Sequence, residues 1–274
     1  MQPLSSAAPE VFAKIGFVLT DLDDTLTLDG RLPAASYAAL EELQNAGKKV
    51  IVVTGRPAGW CDLIARFFPV SAVVGENGAF YFRYDHAART MLRAFQRTAE
   101  QRERDRKRLE EIYAGIVKRY PHVRLSVDQA YRTSDIAVDF CEDVPRLDDA
   151  MITDIVNMFE AGGATAKVSS IHINAWMGSF SKLEMSLRLL QQTFACGSDV
   201  LERVLYVGDS PNDEPMFEHF PISIGVANLL PFAASLRSSP RWITDQRGGH
   251  GFAEVARLVL KSDESQRFGR SGSP

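Results

Sequence analysis

The stretch Phe17-Val18-Leu19-Thr20-Asp21-Leu22-Asp23-Asp24-Thr25-Leu26 runs from a wholly apolar segment straight into a cluster of carboxylates. Its apolar part, residues 15–19, is too short for a free-standing helix and has the length of a strand buried on both faces of a parallel sheet. The segment ends in Asp21, Asp23 and Asp24, which places negative charge at the strand's C-terminal edge. In open α/β sheets ligands bind at that edge, because the strands stop there and the loops leave a crevice. Side chains alternate along extended chain, so Asp21 and Asp23 share one side of the turn while Leu22 points back into packing. Two carboxylates so close repel each other unless something positive lies between them, and hard oxygen donors of this kind suit Mg²⁺.

The strand belongs to a globular protein. With 45% hydrophobic and 24% charged residues, the 274-residue chain can bury one large core or two medium ones. Its 31 basic and 35 acidic residues leave a formal net charge of −4, which gives no reason to expect nucleic acid or an anionic membrane as partner. Cys61, Cys141 and Cys196 are odd in number and far apart, which argues against a disulfide framework and for a reducing cytoplasm. No stretch approaches the roughly 18 apolar residues of a membrane span, and the first 14 residues hold no signal-peptide block.

Downstream, residues 32–46 carry apolar groups at helical spacing and end at Gly47, and Val50-Ile51-Val52-Val53 is a second buried strand closed by Thr54-Gly55-Arg56. Strand, helix, strand predicts a parallel pair with a right-handed crossover, so Thr54 ends at the same edge as Asp21. Its hydroxyl, with the free amides of the Gly55 turn, can bind a phosphate oxygen. A helix is expected over 58–68 and a third strand over 72–74, followed by Glu76-Asn77-Gly78-Ala79 and a hairpin into Phe80-Tyr81-Phe82. From residue 84 the character changes. Residues 100–111 mix both charge signs and read as a solvated helix face laced with i,i+4 pairs. Strands over 123–127 and 135–140, a helix over 147–161 and strands over 164–168 and 171–176 then predict an α+β module with an antiparallel sheet. The α/β pattern returns with a helix opened by Ser181-Lys182 and a strand, Val204-Leu205-Tyr206-Val207, that runs into Gly208-Asp209-Ser210-Pro211-Asn212-Asp213. Two short strands and a helix over 252–260 complete it, and the polar tail from 262 reads as disordered.

Four pieces therefore converge on one sheet edge: Asp21 with Asp23, Thr54, Lys182, and Asp209 with Asn212 and Asp213. In this order the set resembles the four motifs of the haloacid dehalogenase-like (HAD) superfamily of phosphohydrolases. The insertion of about ninety residues between the second and third pieces resembles a type IIB cap, as in Cof-type and sugar-phosphate phosphatases, and Glu76-Asn77-Gly78-Ala79 fits the same branch. The resemblance implies a Rossmann-like doubly wound parallel core made of residues 1–83 and 178–274, with an α+β cap inserted as 84–177. It implies that Asp21 attacks phosphorus and that Asp23 serves as acid and then base. Thr54, Gly55, Lys182 and Asn212 would hold the phosphoryl oxygens, and Mg²⁺ would be bound by Asp21, the Asp23 backbone carbonyl and Asp209, with Asp213 in support. The activity implied is a Mg²⁺-dependent phosphatase acting on a small phosphorylated metabolite, a sugar phosphate. A phosphomutase and a non-catalytic metabolite-binding protein are the alternatives. The chain departs from the family pattern at Ser181, where an Asp is usual, and at Leu183, where a Gly is common.

Within the inserted module, Ile171-His172-Ile173-Asn174-Ala175-Trp176 alternates, placing His172, Asn174 and Trp176 on the face opposite Ile171 and Ile173. His172 and Asn174 are candidate contacts to the hydroxyls of a substrate. The competing expectation for this row is an ordinary solvated strand face.

Overall fold

The computed structural model describes residues 1–197 and 199–270. The first part of the chain alternates strand and helix: β1 (Gln2–Pro3), β2 (Phe17–Thr20), α1 (Ala34–Asn45), β3 (Lys49–Val53), α2 (Ala58–Phe67) and β4 (Ala72–Gly75), followed by the hairpin β5 (Phe80–Asp85) and β6 (Thr90–Phe95). A second module contains α3 (Ala99–Arg119), β7 (Arg124–Leu125), β8 (Asp135–Asp139), α4 (Asp149–Ala161), β9 (Thr165–Val168) and β10 (His172–Trp176). The chain then returns through α5 (Lys182–Phe194), α6 (Val200–Arg203), β11 (Val204–Gly208), α7 (Glu214–His219), β12 (Ser223–Gly225), β13 (Trp242–Ile243) and α8 (Gly248–Arg270).

The large sheet has the order β1-β13-β12-β11-β2-β3-β4-β5-β6 and is parallel from β1 to β4. It is doubly wound. On one face Val18, Val52, Val73, Leu205 and Ile224 pack with Leu40 of α1, Ile64 of α2 and Val255 of α8. The alternate residues Leu19, Ile51, Val53, Val74 and Tyr206 pack on the other face with Met185 and Leu189 of α5 and Phe217 of α7. Burial on both faces is why these strands read as continuous apolar runs. From β2 the chain moves outward to β3 and β4 on one side, and it returns to β11 on the other. The strand order therefore reverses between β2 and β11, and a crevice opens there at the carboxyl ends.

The large sheet does not stop at residue 84. The Asn77-Gly78 turn starts a hairpin whose antiparallel strands β5 and β6 extend the sheet to Phe95. Half-exposed Arg93 and exposed Leu92 give β6 no clean apolar face, so the charge-rich sequence hid it. The expectation of a disordered tail from 262 is also corrected, since α8 runs to Arg270 and its Glu, Gln and Arg residues are good helix formers; residues 271–274 lie outside the described residues.

The second module is a four-stranded antiparallel sheet, β7-β8-β10-β9, with both helices on one face. Ile136, Val138 and Ile173 pack there against Leu109 and Ile116 of α3 and Ile155 and Phe159 of α4. Each such side chain contributes about 1.5–3 kcal/mol by leaving water. The other face carries Asp135, Asp139, His172, Asn174 and Trp176, all buried although no helix of the module covers them. The module's own loops, through Arg132 and residues 141–143, and the edge of the large module at Gly55 cover them instead. The solvated-face expectation for this row is thereby excluded.

Candidate active site

Asp21 leaves β2 and Asp209 leaves β11, on neighbouring strands at the point where the order reverses. The Asp21 amide continues the ladder by donating to the Val207 carbonyl at 2.9 Å, which sets the two carboxylates side by side. The turn after Asp21 is anchored by buried Leu22 and Leu26, and it reverses through Asp24 at φ +56°. Thr25 points back to donate its hydroxyl to Asp209 Oδ1 at 2.9 Å.

Lys182 is the first residue of α5 and is buried, with Nζ 2.6 Å from Asp21 Oδ1 and 3.1 Å from Asp213 Oδ1. Asp213 is fully engaged, accepting also from the Tyr206 hydroxyl at 2.6 Å and from the amides of Asp209 and Ser210. One lysine thus serves a buried group of three acids, Asp21, Asp209 and Asp213. Burial pushes Asp21 up to about 7 despite the Lys182 charge. Burial, together with the Asp21 and Asp213 charges, holds Asp209 well above the carboxylate range. Burial opposes the charge on Lys182, but the two aspartates outweigh it and raise its pKa.

Asp23 lies apart from this group. Arg56 grips it with Nε and Nη2 at 2.9–3.0 Å and extends Nη2 and Nη1 to the Glu142 carboxylate of the second module at 2.7 and 3.3 Å. Glu142 Oε2 lies 2.9 Å from His172 Nε2. Asn174 donates to Asp135, which pairs with buried Arg132, whose Nη1 reaches the Gly55 carbonyl at 3.0 Å. A Cβ at Gly55 would stand 3.2 Å from the Asn77 side chain, a tight approach, and 3.6 Å from Asn174, an ordinary contact.

Asp21, Asp23, Gly55, His172, Asn174, Lys182, Asp209 and Asn212 all border one cavity of about 20 Å³. Thr54 lies one residue behind that lining, its hydroxyl oxygen accepting from the Arg56 amide. Trp176 turns away and stacks on Phe180 with ring centroids 5.7 Å apart. Arg56 and Glu142 are the residues the sequence left without a role. Arg56 was in view at the end of a site-forming strand, whereas its partner lies 86 positions along the chain, beyond any local pattern.

Residues 18–119 match the profile of a family described as haloacid dehalogenase-like hydrolase. A protein from Thermoplasma acidophilum shares the fold, with TM-score 0.69 at 19% identity over 90% of this chain and 98% of that one. So does a HAD subclass IIB sugar phosphatase, with TM-score 0.60 at 13% identity over 88% and 97%. Over residues 18–119 the chain resembles haloacid dehalogenase-like hydrolases. A phosphoglycolate phosphatase from Methanothrix thermoacetophila is 27% identical over 249 residues, 87% of this chain and 94% of that protein.

HAD phosphatases generally use Mg²⁺, and the donor set here bears on whether it fits. Among the described residues no three His, Cys, Asp or Glu side chains form a ready metal cluster. Asp213 is saturated by four donors, and the Asp23 side chain is held by Arg56. What remains is Asp21 and Asp209, a buried repelling pair whose side-chain donors among the described residues are Lys182 and the Thr25 hydroxyl. Two such carboxylates suit a hard divalent cation.

Proposed function

We propose that this phosphatase hydrolyses a small phosphorylated metabolite, a sugar phosphate, through an aspartyl-phosphate on Asp21. The contrasting setting of its two aspartates carries this reading: Lys182 pins one oxygen of Asp21 beside buried Asp209, while Arg56 holds Asp23 apart, two residues along. With Oδ1 held, Oδ2 of Asp21 attacks phosphorus in line as the bond to the leaving oxygen breaks. Asp23 gives that oxygen its proton. The same carboxylate then takes a proton from the water that attacks phosphorus and frees Asp21. Lys182, the Gly55 turn with Thr54, and Asn212 hold the phosphoryl oxygens.

Asp21, Asp209 and the Asp23 carbonyl would hold Mg²⁺, with Asp213 bracing the loop. When bound, the ion offsets the charge that develops on the phosphoryl oxygens. The antiparallel module acts as the cap, and with the hairpin assigned to the core it begins after Phe95 rather than at residue 84. A chamber of about 300 Å³ adjoins the small cavity, sharing Asp23 and Arg56 with it, and has room for a compact leaving group. Three free cysteines support a cytoplasmic setting.

A panel of phosphomonoesters assayed with Mg²⁺, with EDTA and with Asp21→Asn tests the reading. The amide is isosteric but does not attack phosphorus, so turnover should fall on the order of 10⁴-fold or more with the fold retained. Substantial activity in Asp21→Asn would rule out the covalent route.

A further inference from the structure

The chamber beside Asp23, where a leaving group emerges from the reacting phosphoryl, is bordered by Asp23, Asp24, Asp29, Arg56 and Glu142. These five are the charged residues among the ten that line it, and four of them are acids. The one cation, Arg56, is already committed to Asp23 and Glu142. The other basic groups nearby are matched too, Lys182 with Asp21 and Asp213, Arg132 with Asp128 and Asp135, and exposed Arg247 with Asp29 at 3.6 Å. Glu142 is not a drifting surface residue. Its loop is fastened by Asp139, whose Oδ1 accepts the amides of Cys141 and Glu142 and whose Oδ2 accepts that of Asp143. Its carboxylate is fixed by Arg56, and His172 Nε2 lies 2.9 Å away. Burial would raise Glu142, but the neighbouring His172 and Arg56 outweigh it and bring it down to about 2, so it is ionised at working pH.

We propose that Glu142 is a specificity-determining residue that favours phosphomonoesters with an uncharged, hydroxylated leaving group and turns away those bearing a carboxylate. The inference rests on the phosphatase reading above. A hydroxyl can donate to the outer face of the Glu142 carboxylate, whereas a substrate carboxylate meets a fixed like charge. It gains Arg56 only by displacing Glu142 from a pre-formed loop. Two like charges a few ångströms apart at a partly buried site discriminate on the order of tenfold to a hundredfold. This separates the chain from the substrate in the name of the phosphoglycolate phosphatase it resembles.

Glycerol 1-phosphate and 3-phosphoglycerate make the test, since they are matched in size and differ in carrying a hydroxymethyl or a carboxylate. Wild-type enzyme should show a kcat/KM about tenfold or more in favour of glycerol 1-phosphate. Glu142→Gln should narrow that ratio about tenfold, chiefly by lowering KM for the acid, and Glu142→Asp, which keeps the charge, should preserve most of it. A wild-type preference for 3-phosphoglycerate would overturn the proposal, and would mean that the substrate's carboxylate takes the place of Glu142 on Arg56. A ratio unmoved in folded Glu142→Gln would overturn it equally. The wild-type ratio stands without any variant, should Glu142→Gln fail to fold. p-Nitrophenyl phosphate serves as the reference ester: if wild-type enzyme hydrolyses neither it nor any other ester, the phosphatase reading fails, and that failure is distinct from a failed discrimination.

Discussion

Asp209 and Asp213 stand four residues apart on one turn and contribute to stability in opposite senses. Asp213 accepts from Lys182, from the Tyr206 hydroxyl and from two amides, so removing it strands several buried partners together. Asp209 is as deeply placed but has one neutral side-chain donor, Thr25, and faces two like charges. Asp213→Ala should therefore cost about 3–5 kcal/mol, the scale of a broken buried ion pair. Asp209→Asn should instead raise the melting temperature in EDTA, because an amide keeps the Thr25 bond and removes the repulsion, while activity demands far more Mg²⁺ or is lost. Thermal melts in EDTA, with activity titrated against Mg²⁺, decide it. A lower melting temperature for Asp209→Asn would show that the carboxylate is not under strain.

The helix that delivers Lys182 has its N-terminus defined by two details. Ser181 caps it, its hydroxyl oxygen accepting the Glu184 amide at 3.2 Å. Gly78 packs against the same turn so tightly that a Cβ there would lie 2.0 Å from the Ser181 carbonyl oxygen, and its φ of +103° itself calls for glycine. The Glu76-Asn77-Gly78 turn is thus a wedge that sets where α5 begins and so where the Lys182 ammonium reaches. Ser181 stands where the family usually has Asp, and both are strong N-caps, which explains why the departure leaves Lys182 in place. Ser181→Ala should lower stability by about 1 kcal/mol in urea unfolding, and Ser181→Asp should restore it. Equal stability of all three proteins would show that the wedge alone positions the helix.

The two modules are joined through buried polar contacts rather than through one continuous apolar core. Glu76 of the large module accepts the amides of Thr133 and Ser134 from the second at 2.9 and 2.6 Å, Arg132 reaches the Gly55 carbonyl, and Arg56 holds Glu142. The Glu142 clasp titrates with a definite sign. Its folded pKa, about 2, lies below the usual 4.5, so its contribution is present above about pH 4.5 and is lost as the pH falls toward 2. Glu142 is partly solvated, which limits that contribution to about 1 kcal/mol or less. The melting temperature of wild-type protein should accordingly exceed that of Glu142→Gln at pH 7, with a gap that shrinks as the pH is lowered from 5 to 3. A gap independent of pH would mean that the residue acts through packing and not through charge.

The sequence by itself determined what depends on short range. Apolar runs at residues 15–19, 50–53 and 204–207 specify buried parallel strands, and Asp21, Asp23, Thr54, Lys182 and Asp209 follow from them in an order that places them at one edge. Alternation along 171–176 likewise separated the face of Ile173 from that of His172 and Asn174. Only the tertiary structure decided which of those faces would be covered and by what, because burial of a polar row depends on a partner surface far away in the chain. It also moved β6 into the large sheet, where pairing with β5 outweighs a mixed composition. Arg56 meeting Glu142, and Asp213 being saturated before any ion arrives, are set by the packing of one module on another and of α5 on the sheet edge. Contacts between residues separated by 86 or 31 positions leave no periodic trace in the sequence.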